Sequence, residues 1–526
     1  MHWILLLFLV NLLERMFDMQ QVSKVFYISL VVAVLFIAWG AWPNSNISEV
    51  TTNIQGFITD KFGWFYLLSA TGFLIFAIYL VFSKYGKLKL GKEDDEPEYP
   101  YITWFAMLFS AGMGIGLVFW GAGEPISHFN APPGLDTEAQ SQTAAQEAMK
   151  YSFFHWGLHP WGIYAVVALA LAYFKFRKGA PGVISAVLVP LIGEKRVKGP
   201  IGTTVDFIAV FATIFGVATS LGFGALQIAG GLAFQFDGIE NTVTLQFIII
   251  AAVTILFMTS AMTGLNKGIK YLSNTNIVLA LLLMFFLLFA GPTNFIMDYF
   301  TSTFGSYVRD LPYMSFRMTP FSEDSTWVGD WTIFYWAWWI SWSPFVGTFI
   351  ARVSKGRTIR EFILGVLLVP TIFGALWFSV FGGTAINLEY FQGQDIYSDV
   401  TGIGEEVALF SALQHVPLGG IMSIIALLLI STFFITSADS ATFVLGMQTT
   451  NGSLNPDLKV KFIWGVLQAG TASILLATGG LTALQTVSII TSLPFTVLLI
   501  LMCISLFKEF QNEGKKVGIK KKNSAK

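Results

Sequence analysis

The sequence predicts an all-α polytopic membrane protein with about twelve transmembrane helices, and three observations carry that prediction. Of 526 residues, 54% are hydrophobic and only 12% charged, roughly half the charged share of a soluble domain. Apolar runs of about 20 residues, enough to cross roughly 30 Å of hydrocarbon as helix, recur along the whole length with short polar connections. Basic residues concentrate in alternate connections, as cytoplasmic loops require. Lipid offers no partner to loose backbone N–H and C=O groups, so such segments must be helices; the period-2 pattern of a membrane barrel is absent.

The elements follow in order. Met1 to Leu13 is apolar without a basic flank or a small-residue cleavage pattern, so residues 1–25 are expected to form a cytoplasmic or interfacial segment rather than a secretory signal. Spans are expected at 26–42, 62–83, 101–121, 151–174, 205–235, 243–264, 271–291, 328–351, 362–383, 418–447, 460–479 and 483–507. Together they make 26–507 one helical domain, followed by a short basic tail over 508–526. With both termini inside, the outer loops hold only Lys61, Lys150, Arg309 and Arg317 of the 31 basic residues. Losing one span would scramble that segregation. The outer stretch Pro292 to Trp327, weakly apolar and broken by Pro312 and Pro320, is expected to lie along the interface. Lys520, Lys521 and Lys522 in the tail either meet anionic membrane lipids or stay solvated.

Several classes are disfavoured. No GxxxxGK[ST] motif is present, which argues against ATP as the direct driver. Cys503 is the single cysteine, so a disulfide framework is excluded. Five scattered histidines with one cysteine offer no convincing nucleophile and base, so an enzyme is not expected, and no cofactor is called for.

Three stretches stand out. The third span reads Ala111-Gly112-Met113-Gly114-Ile115-Gly116, and each glycine costs a helix interior about 1 kcal/mol. Two readings stand: close packing through Gly112 and Gly116, or a helix that unwinds at mid-membrane and offers amides to an anion and carbonyls to a cation. The fourth span carries Trp156, Trp161 and Tyr164, which share a broad face at 100° per residue. Trp156 could equally belong to an interfacial belt, while His155 and His159 read as packed, hydrogen-bonded histidines. In the eighth span Tyr335, Trp338, Trp339 and Trp342 follow i, i+3, i+4, i+7 and form one stripe climbing about two turns. A belt would cluster at one depth, which still suits Trp331. A trimethylammonium group cannot donate conventional hydrogen bonds, so aromatic faces suit it. In the tenth span Thr436-Ser437-Ala438-Asp439 sets hydroxyls beside carbonyls, either as ligands for a small cation or bonded to their own i−4 carbonyls.

The blocks GMGIGLVFWGAGEP, HWGLHPWGIYA, DFIAVFATIFGVATSLGFGALQ, WTIFYWAWWISWSPFVGTFIARVSKGRTIREF and TSADSAT resemble the betaine/carnitine/choline transporter family over nearly the whole chain. The resemblance implies a LeuT-like core of two inverted five-helix repeats, spans 3–7 and 8–12, working by alternating access in the plasma membrane and often assembled as homotrimers. It implies uptake of glycine betaine or a related quaternary-ammonium solute, with choline or carnitine as the alternative. By position it implies a substrate cage of Trp156, Trp161, Tyr164 and Trp339, with Trp338 and Trp342 along the path and the substrate carboxylate near the amides of Gly112, Gly114 and Gly116. It implies a sodium site from Ser110, Met113, Phe433, Thr436 and Ser437. Proton-coupled choline members carry an aspartate where this chain has Gly116, and ion-independent carnitine exchangers carry an arginine where this chain reads Ser273-Asn-Thr-Asn-Ile277; both departures favour sodium symport. A second sodium site, for which Thr213 and Phe345 are the candidates, is weakened by Val217, where similar carriers repeat the threonine.

Overall fold

The computed structural model describes residues 22–112, 114–263, 266–322 and 326–516, without the side chains of 109–112, 260–263, 266–270 and 514–516. Among them, regular structure is helical throughout, apart from one isolated bridge between Lys89 and Thr358. We label the principal helices α1 (Lys24–Ala41), α2 (Ile47–Phe82), α3 (Tyr101–Gly112), α4 (Ile115–Asn130), α5 (Gln142–Trp156), α6 (Leu158–Ala172), α7 (Pro200–Gln235), α8 (Val243–Thr263), α9 (Asn266–Ala290), α10 (Thr293–Ser315), α11 (Phe334–Val353), α12 (Ile359–Gln392), α13 (Gly419–Thr449) and α14 (Leu458–Lys516). Eight helices among the described residues are long and apolar enough to cross a membrane.

α14 holds two of the expected spans. Gly480, at φ +56° and ψ −135°, takes a conformation that only glycine adopts without strain. The side-chain contacts trace the reversal. Trp464 packs on Phe26 at the start of α1 and Ile474 lies against Gly40 at its end; beyond the turn, Thr486 donates to Gln55 of α2 and Phe510 stacks on Tyr85 after α2 has ended. The sequence 464, 474, 486, 510 therefore runs up one side and down the other. With the α3–α4 pair, α8 and α11, this recovers the multi-pass all-α fold expected from hydropathy.

Several helix ends run well past the expected spans. α2 begins at Ile47 rather than 62, α5 begins at Gln142 rather than 151, and α14 continues past 507 to Lys516. Polar residues such as Thr51, Asn53, Asp60 and Lys61 lower the hydropathy of these first turns, but a helix needs no hydrocarbon around it to continue. Local signals start and stop the helices instead. Ser141 caps α5 by accepting from the Ala144 amide at 3.1 Å, and Thr358 with Glu361 forms a reciprocal capping box at the head of α12. Gly393 closes α12 at φ +67°.

The amphipathic segment expected between 292 and 327 is α10. Ile296, Tyr299, Thr303 and Tyr307 recur at helical spacing on its buried face, while Met297, Val308 and Tyr313 are exposed. It lies on α5 and α6, where Tyr299 donates to the Ala145 carbonyl and the Tyr307 hydroxyl accepts from the Leu158 amide at 3.1 Å.

The two halves pack reciprocally. α4, from the first span of the first half, lies on α12, the second span of the second half; α11, the first span of the second half, lies on α6 in the second span of the first. Likewise α7 packs on α14 and α13 on α9, the third span of each half against the fifth of the other. Such an exchange is what the two-repeat core implied by the resemblance requires.

On the face where α14 ends, backbone bonds stitch two connections together. The Leu90 amide donates to the Arg357 carbonyl at 2.8 Å, Gly356 to Leu90 at 2.9 Å and Ile359 to Leu88 at 2.8 Å. Arg357 lies over Trp104, 4.0 Å from the ring centroid, and donates to the Tyr99 carbonyl at 2.6 Å. Beside it Arg177, following α6, pairs with Glu513 of α14 and with Glu93; Tyr173 also donates to Glu513, and Lys178 pairs with Glu509 at 2.9 Å.

Candidate functional site

The third span is broken at its glycine run, the second of the two readings. α3 stops at Gly112 and α4 restarts at Ile115, with Gly114 extended between them at φ −143° and ψ −150°. Met113 lies outside the described residues, and of Ser110 and Gly112 only their place at the end of α3 is described. A restart here leaves the first amides of α4 without intrahelical acceptors and turns the positive end of its dipole toward the break. A Cβ placed on Gly114 would lie 3.6 Å from the Ser437 hydroxyl and 3.8 Å from the Trp342 ring. The break therefore sits where spans three, eight and ten meet. A Cβ on Gly116 would come within 2.4 Å of Trp338 and 3.2 Å of Trp156. Gly116 thus admits two indoles against the backbone, and close packing and unwinding both act in one run.

A second break aims the fourth-span aromatics. α5 ends on Trp156, Gly157 leaves helical geometry at φ −97° and ψ −131°, and α6 resumes at Leu158 carrying Trp161 and Tyr164. Trp156 lies near the middle of this long broken helix and is 4% exposed, which overturns the interfacial-belt alternative. The rings meet edge to face: Trp156 on Trp339 at 4.9 Å and 85°, Tyr164 on Trp339 at 5.7 Å and 90°, Trp161 on Tyr164 at 5.5 Å and 84°. Trp338 stacks on Trp339 at 4.9 Å, Trp342 follows Trp338 at 6.5 Å, and Phe345 lies edge-on to Trp342 at 5.4 Å. The Trp339 indole N–H donates to the His155 carbonyl at 2.9 Å, which fixes its plane. Tyr164 Oη and the indole nitrogens of Trp338 and Trp342 are buried donors without a partner. Faces for a cation and spare donors for an anion are thus set side by side.

The cation-ligand candidates divide. Ser437 faces Gly114, as above, and Phe433 is buried. The Thr436 hydroxyl donates to its own helix at Thr432 O, 3.0 Å, and accepts from Asn276 Nδ2 of α9 at 2.9 Å. Asn276, in the stretch singled out for lacking an arginine, keeps an unpartnered carbonyl oxygen. Thr213 donates to Ala209 O at 2.7 Å and stands 3.4 Å from Gln448 Oε1, with Val217 buried one turn on.

Glu124 and His128, which sequence reasoning missed, complete a cluster with Tyr335 of the eighth-span stripe. Glu124, wholly buried, meets His155 Nδ1 at 2.7 Å and His128 Nε2 at 3.2 Å through Oε1; its Oε2 accepts from Trp156 Nε1 at 2.8 Å and from the Tyr335 hydroxyl at 2.6 Å. His155 Nε2 is 2.9 Å from the Thr332 hydroxyl. His155 therefore does have acidic and imidazole neighbours, all within 4.8 Å, joined as ordinary hydrogen bonds. The i, i+4 pairing of Glu124 with His128 was the one local signal. His159 behaves as expected, stacked on Trp336 at 5.1 Å with Ser315 Oγ 3.1 Å away. Trp331 packs on His128 at 4.4 Å rather than facing lipid alone.

Aromatic faces gathered at two helix breaks in the centre of a two-repeat membrane bundle define an integral-membrane transporter rather than an enzyme. The chain belongs to the betaine/carnitine/choline transporter family, whose model matches residues 24–515. It is 53% identical over 502 residues to the glycine betaine transporter OpuD of Bacillus subtilis (strain 168), covering 95% of this chain and 96% of that one. It is 47% identical over 494 residues (94% and 97%) to an ectoine/hydroxyectoine transporter of Virgibacillus pantothenticus, and 44% identical over 499 residues (94% and 99%) to a probable glycine betaine transporter of Desulfitobacterium hafniense (strain Y51).

Proposed function

We propose that this transporter takes up glycine betaine, or a close trimethylammonium zwitterion, by sodium symport through the plasma membrane, with both termini in the cytoplasm. The observation that carries the reading is the meeting of Trp156, Trp339 and Tyr164 beside the α4 amides. Quaternary ammonium is bound by desolvated aromatic faces at about 2 kcal/mol or more per contact. The unpartnered donors of Tyr164, Trp338 and Trp342 call for an acceptor at the other end of the solute. A carboxylate supplies it; choline, which lacks one, fits less well. Two relatives carry betaine in their names, in keeping with this choice.

Sodium coupling is supported by Ser437 lying against the helix break, where its hydroxyl can join carbonyls freed at the end of α3. Gly116 in place of an aspartate, and a neutral Asn276 beside Thr436, speak for the same ion. Thr213, already bonded to Ala209, and Phe345, packed on Trp342, leave a second sodium a weaker proposition. The difference is large, since one coupling charge is worth about 2.3 kcal/mol per 100 mV, roughly fifty-fold in accumulation. A homotrimer embedded in membrane lipids is the expected assembly.

Proteoliposomes test the proposal. An inward sodium gradient should drive betaine accumulation that potassium cannot replace; uptake indifferent to sodium rejects the coupling. Trp339→Ala should raise the betaine KM about thirty-fold, the equivalent of roughly 2 kcal/mol. An unchanged KM removes the cage.

A further inference from the structure

Glu124 is a carboxylate with no solvent, placed at the edge of the aromatic site rather than inside it. Its four hydrogen bonds occupy both oxygens: His128 and His155 on one, Trp156 and Tyr335 on the other. An indole N–H can only donate, so Oε2 carries no proton toward Trp156. Thr332 can donate to His155 Nε2, leaving Nδ1–H to face Glu124, and His128 Nε2–H serves the same oxygen while its Nδ1 is left without a partner. This tautomer assignment, taken from the network, gives an ionised carboxylate with every lone pair engaged. Neither lysine nor arginine pairs with it among the described residues.

We propose that Glu124 is the fixed counter-ion of the cation subsite, a specificity-determining residue that acts through Trp156 and Tyr335 without touching the solute. This rests on the cage reading above. A carboxylate accepting from an indole N–H and a phenol O–H draws those protons outward and enriches the ring faces in electron density, which strengthens their hold on a cation. Its negative charge also acts across a buried interior of aromatic side chains, where charges are weakly screened. Trp156 passes the effect straight to the cage, for its ring meets Trp339 at 4.9 Å; Tyr335 passes it on to Trp156 at 5.7 Å and to Trp338 at 6.3 Å. Because the four donors hold it, the carboxylate cannot swing in to pair with the solute. A group with N–H donors gains no salt bridge there, whereas trimethylammonium, which has none to offer, loses nothing. The arrangement favours a diffuse cation over a primary amine.

The experiment compares reconstituted wild type with Glu124→Gln, which keeps the volume and removes the charge. Two solutes are read by competition against labelled betaine: betaine itself and the tert-butyl carboxylate in which carbon replaces the charged nitrogen. Glu124→Gln is expected to weaken betaine about twentyfold and the isostere, whose tert-butyl head is uncharged, less than about twofold, so that the preference between them collapses. Equal weakening of both, or no weakening of either, overturns the proposal. A wild type that binds both solutes alike removes the cage reading along with this one, and the wild-type ratio alone identifies that case. Should Glu124→Gln fail to fold, Tyr335→Phe replaces it, since it strips one donor and leaves the charge. Because the phenol O–H is one of the two routes by which the charge acts, the betaine-to-isostere ratio should then fall a few-fold, short of the collapse expected of Glu124→Gln, and an unchanged or raised ratio overturns the proposal.

Discussion

Two glycines two positions apart separate by what surrounds them. Gly116 has no room for a methyl group: Trp338 would be met at 2.4 Å, and Trp338 cannot yield because it lies between Trp339 and the ring of Phe334, stacked at 5.9 Å and 8°. Gly114 has ordinary van der Waals space, at 3.6 and 3.8 Å. Gly116→Ala should therefore cut betaine uptake more than about tenfold, as overpacking of a rigid core by 1–3 kcal/mol implies, and Gly114→Ala should stay within about threefold. Uptake rates at equal membrane expression check both. The glycine run left packing and unwinding both open, and its spacing could not say which glycine touches an indole. That depended on Trp156 and Trp338 arriving from distant segments. Glu124 was hidden for the same reason, since only His128 among its partners is a neighbour in sequence.

Among the elements, α14 makes its turn on two glycines, and Gly480 bears the conformational demand. Gly480→Ala forces a side chain into φ +56°, ψ −135°, at a cost of about 1–3 kcal/mol, and should lower Tm in detergent by a few degrees while leaving the betaine KM unchanged. A thermal-shift series reads this directly. Hydropathy made the crossings legible because burying about 20 apolar residues in lipid overrides local preference. The buried stripe of α10 was legible for a related reason, its spacing being helical while its polar face was kept. What hydropathy could not show was where helices start in water. The first turns of α2 and α5 are polar, and Ser141 rather than any apolar residue marks one of them. The interruption at Gly157 was equally silent, as a single glycine after Trp156 looks like any other.

For the whole molecule, closure on the face where α14 ends rests on charge. Arg177 and Glu513 are both almost buried there, and Tyr173, Lys178 and Glu93 complete the group. Glu513→Gln removes one charge from three partners at once. Charge-assisted bonds of this kind are worth about 1.5–3 kcal/mol, so amide hydrogen exchange across Lys84 to Tyr101 and Tyr173 to Lys178 should quicken about ten- to a hundredfold. Unaltered exchange would assign closure of this face to the backbone stitch alone.

That stitch has a different kind of consequence. Its bonds join Leu88 and Leu90 to Gly356, Arg357 and Ile359 through main-chain atoms, so the bonds themselves do not depend on side-chain identity, although Leu90, Arg357 and Ile359 are buried and any exchange there must also refit the packing. Gly356 adds a backbone demand, held at φ +83° with the Glu96 backbone 2.5 Å from where a Cβ would stand. Chain length is another matter, because one residue inserted or deleted in either connection shifts every donor off its acceptor. Along a lineage the exposed positions of these two connections are free to drift, while both connections are bound to keep their length, and to keep it together.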